Sequence, residues 1–249
     1  MMPGKHWTRG SALALWLCAS SLAAQAPLDP ETRFTIALTH LREGRLQMAL
    51  DEMRRAIKDD PKNPYFQKGL GLAYMQQRDF DKAVEAFRKA LELNPYYVDV
   101  RNDLGTALVL QGKREEGKKE FLTAFNDPTY NAPEVAARNL AQACFEEKDY
   151  QQAYNWYHTS ALRNPKYVDA HLGQADALLA MNQAEQAVSL LQGAARDLPD
   201  SLQIRLGLGD ALYRSGRFGE ARQELEAVAS KDPTGLGRRA ADMLKHLPK

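Results

Sequence analysis

A small residue returns to the same local setting about every thirty-four residues through most of this chain. Ala49, Ala83, Gly117, Ala153, Ala187 and Ala221 lie 34, 34, 36, 34 and 34 positions apart. A second small residue stands twelve positions before each of them: Ala37, Gly71, Gly105, Ala141, Ala175 and Gly209. A proline follows each by twelve positions at Pro61, Pro95, Pro165, Pro199 and Pro233, and by eleven at Pro128. A period of this length belongs to stacked repeats, and it restricts the fold before any other feature does. Each unit reads as two antiparallel helices. Small residues at the two recurring positions let the helix backbones approach closely. Larger ones (Leu70, Tyr74, Phe87, Leu104, Phe121, Leu140, Tyr157) fill the space around that contact. Proline has no backbone N–H and suits the boundary between units. One hairpin cannot bury its own apolar faces, so stability comes from neighbours stacked in series.

The second unit reads Leu70-Gly71-x-x-Tyr74, then Ala83-x-x-x-Phe87, Ala90 and Pro95. This resembles the tetratricopeptide repeat, whose period is 34 with an L-G-x2-Y, A-x3-F, P pattern. The resemblance implies an all-α superhelical solenoid of six helix-turn-helix repeats, at 30–63, 64–97, 98–131, 134–167, 168–201 and 202–233. The segment 234–249 reads as a C-terminal capping helix, with Leu236, Ala240, Met243, Leu244 and Leu247 turned inward. Arg238, Arg239, Asp242 and Lys245 would face out.

Composition argues against two classes of function. The net charge is +1, with 26% charged residues and no basic region, which does not suit neutralising nucleic-acid phosphates. The five histidines, His6, His40, His158, His171 and His246, have no metal-ligand spacing with Cys, Asp or Glu. There is no phosphate loop and no G-x-S-x-G nucleophile elbow. His40 and Cys144 occupy the repeat's tyrosine position, where a packing role is expected. The expectation is a non-enzymatic binding protein with no cofactor, no metal and no catalytic residue.

The first residues follow another logic. Lys5, His6 and Arg9 precede an uncharged stretch from Gly10 to Leu28 with a short apolar centre, ALALWLCA, and a small-residue end. That is the pattern of an export signal over 1–26. Leu15, three residues before Cys18, resembles the approach to the lipidated cysteine of bacterial lipoproteins. The residues leave open a lipoprotein signal ending at Cys18, a cut near Ala23 to Ala26, or a retained anchor. Export with lipidation implies the periplasmic side of the outer membrane, and export without it a soluble periplasmic protein. Membrane contact is expected only through such an anchor. Cys144 is left as the one other cysteine.

In a solenoid of this type the first helix of each unit lines the concave side. Counting along those helices names the inner positions expected to be exposed. They are Phe34, Leu38 and Leu41; then Tyr65, Lys68, Leu72 and Met75; then Asn102, Thr106 and Val109. The later units offer Arg138, Gln142 and Phe145, then Leu172 and Asp176, then Leu206, Asp210 and Tyr213. The front half is the more apolar and the rear half carries acids. A groove of this kind suits a protein ligand. Repeat adaptors that clamp acidic chaperone tails resemble one another in Lys and Asn at these positions. Here Phe34, Leu38 and Leu72 stand there instead.

The rhythm breaks once, where residues 127–140 read DPTYNAPEVAARNL and two extra residues enter. Tyr130, Pro133, Glu134, Ala136, Asn139 and Leu140 there, with the export signal and six repeats, resemble the type IV pilus pilotin-like TPR lipoproteins. The resemblance implies a factor that binds secretin subunits and helps them assemble and reach the outer membrane. It also implies that the groove and the junction at Tyr130, Pro133 and Glu134 contact that partner. The residues alone leave open a general periplasmic adaptor for envelope or cell-wall assembly.

Overall fold

The computed structural model describes residues 28–248. The export-signal reading over 1–26 and the candidate lipidation residue Cys18 lie outside them. Among the described residues there are thirteen helices and no strand. Six hairpins follow one another: α1 (Pro30–Arg42) with α2 (Leu46–Asp59), α3 (Pro64–Gln77) with α4 (Phe80–Leu93), and α5 (Val98–Leu110) with α6 (Arg114–Asn126). Then come α7 (Pro133–Glu146) with α8 (Tyr150–Arg163), α9 (Val168–Ala180) with α10 (Ala184–Asp197), and α11 (Leu202–Arg214) with α12 (Phe218–Lys231). The last helix, α13 (Leu236–Lys245), packs on α12 and touches α11.

Local chemistry sets where these helices start and stop. The Asp29 carboxylate accepts the Thr32 N–H at 2.8 Å, with Pro30 at the first helical position, a combination that satisfies a free donor where proline has none to lose. Asp79 and Asp149 cap α4 and α8 in the same way. The tight turn inside each hairpin needs one residue with left-handed φ. Gly44, Gly112 and Gly216 supply it in three hairpins, and Arg78, Lys148 and Asn182 in the others.

The recurring small residues sit where the helices of a hairpin cross. Ala49, Ala83, Ala153, Ala187 and Ala221 are fully buried. A Cβ added at Gly71 would come within 2.5 Å of the Phe87 ring, and one at Gly209 within 2.7 Å of Leu225. The crossing therefore leaves no room for larger side chains, and the buried residues form successive clusters along the stack. A front cluster gathers Met53, Phe87 and Leu104, and a rear one gathers Leu191, Ile204 and Leu225. Ala240 and Leu247 of the terminal segment join the rear cluster. Both ends of the stack turn polar faces outward: Thr32, Thr35 and Thr39 on α1, and Arg238, Arg239, Asp242 and Lys245 on α13. Cys144 is buried as a free thiol and its pKa is raised, chiefly by that burial.

One link differs. Hairpins are otherwise joined by four residues, as at 60–63, 94–97, 164–167 and 198–201, but residues 127–132 join α6 to α7. Asp127 folds this segment back on itself, its carboxylate accepting the Thr129 N–H at 2.8 Å and the Thr129 hydroxyl at 2.6 Å. The turn drives Tyr130 into the gap, where it is 9% exposed among Val98, Ala124 and Ala136. The junction was expected to present Tyr130 to a partner. The structure corrects this, because the space opened by the longer link has to be filled by something apolar.

Candidate functional site: the inner face

Odd-numbered helices touch the next odd-numbered helix in five places (α1–α3, α5–α7, α7–α9, α9–α11 and α11–α13), and no pair of even-numbered helices packs comparably. The odd helices are therefore the crowded, concave side of the stack. Their inner residues fall into a ladder. At three joints an inner residue abuts one thirty-five positions further on in the next hairpin. Phe34 lies over Gly69, where an added Cβ would meet its ring at 2.3 Å. Lys68 pairs with Asp103 at 3.8 Å. Leu172 lies over Gly207, at 2.7 Å from an added Cβ. Across the longer link the offset is 37, and Asn139 donates its side-chain amide to the Asn102 side-chain oxygen at 3.0 Å. Either a bulky apolar group sits on a glycine, or two polar groups bond.

This ladder decides which inner residues are available. Asn102 and Leu206, expected to be exposed, are 8% and 6% exposed. Both lie in the seam between hairpins and not on the groove floor. Phe34, Leu38, Leu41 and Met75 are half-buried against the front core, with the Phe34 ring 5.0 Å from that of Phe66. Phe145 packs by the Cys144 cluster, its ring 5.2 Å from Tyr150. Thr106 hydrogen-bonds the Asn102 carbonyl at 3.1 Å, and Val109 leans over Gly117. Gln142 accepts the Tyr157 hydroxyl at 2.8 Å. What opens to solvent is Tyr65 at 59%, Leu72 at 37% and Tyr213 at 39%, with Asp176 also exposed.

Around Tyr65 the groove floor is amphipathic. The Tyr65 and Tyr97 rings meet edge-on at 5.3 Å, and the Lys68 ammonium lies 5.0 Å from the Tyr97 ring centre. Burial pushes the Asp103 carboxyl up to about 6, against the opposing pull of Lys68. Burial also carries the Tyr97 phenol up to about 12. Counting along the helices named Asn102 and missed Asp103 beside it. The lysine thirty-five residues earlier is the signal that could have found it. Further back, Arg138 reaches Asn139 at 3.1 Å and Asp169 at 3.9 Å.

The junction residues serve the stack. Pro133 starts α7, with Glu134 in its first turn where a negative charge is favoured. The Glu134 backbone oxygen accepts the Ser160 hydroxyl at 2.7 Å, and its carboxylate accepts the Asn164 amide at 3.3 Å. Like Tyr130, Glu134 is thus engaged inside the protein.

Among the described residues no group of three or more His, Cys, Asp or Glu is placed to hold a metal, and no helix is long and apolar enough to cross a membrane.

Known proteins place this architecture. The chain is similar to the type IV pilus assembly protein PilF of Pseudomonas aeruginosa, at 26% identity over 192 residues, covering 75% of this chain and 72% of that protein. It superposes on the crystal structure of PilW, described as a widely conserved type IV pilus biogenesis factor. The TM-score is 0.70 at 20% identity, with 85% of this chain and 98% of that one covered. A probable peptide N-acetylglucosaminyltransferase, SPINDLY of Hordeum vulgare, is 32% identical over 126 residues, but the match spans 48% of this chain and 13% of that enzyme. One tetratricopeptide repeat model matches residues 34–98 and 172–235, and a second matches 74–137. With its helix pairs, small-residue crossings and these matches, the chain belongs to the tetratricopeptide repeat family, whose members are scaffolds for protein interaction.

Proposed function

We propose that this chain is an exported assembly factor for the secretin of a type IV pilus. In this reading it is held at the periplasmic side of the outer membrane by lipid on Cys18. The front of the inner face, around Tyr65, Leu72 and Lys68, binds a secretin subunit. The observation that carries the reading is the likeness to PilF, which runs through 72% of that protein's length. A match confined to a generic repeat block would carry much less. The open front of the groove adds physical support. Tyr65 and Leu72 present exposed apolar surface beside a charge pair, the mix that seats a peptide segment by burial while fixing its orientation. A lipid chain would supply membrane affinity of roughly 0.8 kcal/mol per buried CH₂.

The test is a deletion strain complemented with full-length protein or with Tyr65→Ala/Leu72→Glu. The secretin is followed on a gel that preserves its multimers. Deletion and the double variant should leave secretin monomeric. Normal multimers in the deletion strain sink the reading. Mass spectrometry of the mature N-terminus decides the anchor, which requires a diacylated or triacylated Cys18.

A further inference from the structure

We propose that the C-terminal end of the inner face is a second peptide site, taking a segment in which a lysine or arginine adjoins a large apolar side chain. The site is a cup of about 250 Å³ lined by Asp210, Tyr213, Leu225, Met243 and His246. It exists because α13 packs across α12 and only grazes α11, leaving a gap between them. Pockets for drug-sized ligands run roughly 300–1,000 Å³. This one has room for a single side chain. Met243 makes the wall apolar over a base formed by the fully buried Leu225, and Tyr213 stands against Phe218, their rings 5.7 Å apart.

Charge selects the neighbour of that side chain. Asp210 is on the rim, and Asp176 holds the same inner position one hairpin earlier. Arg214 is bonded to Asp210 at 2.9 Å. No Lys, Arg or His among the described residues lies within ion-pair distance of Asp176, which opens to the groove. Two carboxylates thus share one guanidinium. Desolvation by the surrounding protein raises the Asp176 carboxyl pKa, the charge of Asp210 raises it further, and Arg214 pulls the other way. A cation arriving from a ligand would relieve that repulsion. The front of the groove offers no equivalent, since Asp103 already has Lys68. The rear of the inner face thus combines an apolar cup with two carboxylates that share one guanidinium, and a basic residue next to an aromatic or large aliphatic one would satisfy both.

Three blocked tetrapeptides test this on the full mature chain: Gly-Lys-Phe-Gly, Gly-Glu-Phe-Gly and Gly-Lys-Ala-Gly. Binding is read from the methyl NMR signals of Met243 and Leu225. The Lys-Phe peptide should shift both signals saturably. The Glu-Phe and Lys-Ala peptides should bind at least about fivefold more weakly, the size of one exposed charge contact or more. Asp176→Asn should weaken the Lys-Phe peptide about threefold with no loss of stability, since it removes a carboxyl that desolvation and Asp210 disfavour. Tyr213→Ala, at an exposed position, should abolish saturation. Equal binding of the Glu-Phe peptide, or shifts that are absent from Met243 and Leu225, would overturn the site. No pilus component enters the experiment, so its outcome is separate from that of the secretin reading.

Discussion

The side-chain amide of Asn139 donates to the side-chain oxygen of Asn102 at 3.0 Å, joining α5 to α7 across the long link in the stack. Three other joints meet the same need with a bulky group on a glycine or with an ion pair. Phe34 rides on Gly69, Lys68 pairs with Asp103, and Leu172 rides on Gly207. Residues on neighbouring hairpins have to be matched in pairs, because each hairpin is held only by its neighbours.

The Asn102–Asn139 bond should therefore be measurable as a coupling. Asn102 is buried, so truncating it strands a partner, and truncating both strands neither. A double-mutant cycle of Asn102→Ala and Asn139→Ala, followed by urea unfolding, should give a coupling of about 0.5–1.5 kcal/mol. Simple additivity of the two single changes would contradict the pairing.

Gly117 occupies a position where the other five hairpins have alanine. By repeat pattern and helix propensity, Gly117→Ala should stabilise by about 1 kcal/mol. The structure reverses the sign. An added Cβ would stand 2.7 Å from the Gly105 carbonyl oxygen and 2.6 Å from Val109, and overpacking of this sort costs about 1–3 kcal/mol. Thermal unfolding should show a loss of stability, and a raised Tm would refute the close approach.

Tyr130 separates a structural plug from a contact residue. Tyr130→Ala should destabilise by about 3–5 kcal/mol, as large aromatic truncations in cores do. Tyr130→Phe should fold nearly as well as the parent, because no hydrogen bond to the Tyr130 hydroxyl is present among the described residues. If Tyr130→Ala unfolds like the parent, the plug assignment fails.

Asp103 gives a pH signature. Its carboxyl stands at about 6 in the fold against 3.8 in the unfolded chain. A raised carboxyl means the unfolded chain releases its proton first, so this group costs stability as pH rises. Below pH 3.8 it costs nothing, between there and about 6 the penalty grows, and above 6 it is constant. At about 1.4 kcal/mol per unit the full penalty is about 3 kcal/mol at most. Asp103→Asn should lack it, so the stability of the parent relative to this variant should fall between about pH 4 and 6 and then level off. A difference that is flat across that window would refute the burial of this carboxyl.

Much of the architecture is legible in the residues. Helix pairs, their crossings at Ala and Gly, and the polar ends follow from spacing and side-chain size, because these are contacts within one hairpin or repeated identically between hairpins. The inner face was legible only as a list. Counting at helical spacing put Asn102 and Leu206 in the same class as Tyr65 and Leu72, yet the first two are buried and the last two are open. Neighbouring residues on the adjacent hairpin make that difference, and they lie thirty-five or more positions away.

The sequence by itself determined that this chain stacks six helical hairpins, since a hairpin with small residues at its crossing and apolar residues on both sides has no other way to leave water. Tertiary structure decided which inner side chains remain free, that Tyr130 fills the long link, and that a cup opens between α11 and α13. Those outcomes depend on the distance and angle between hairpins. Side chains drawn from different repeats set both jointly, and no single repeat encodes them.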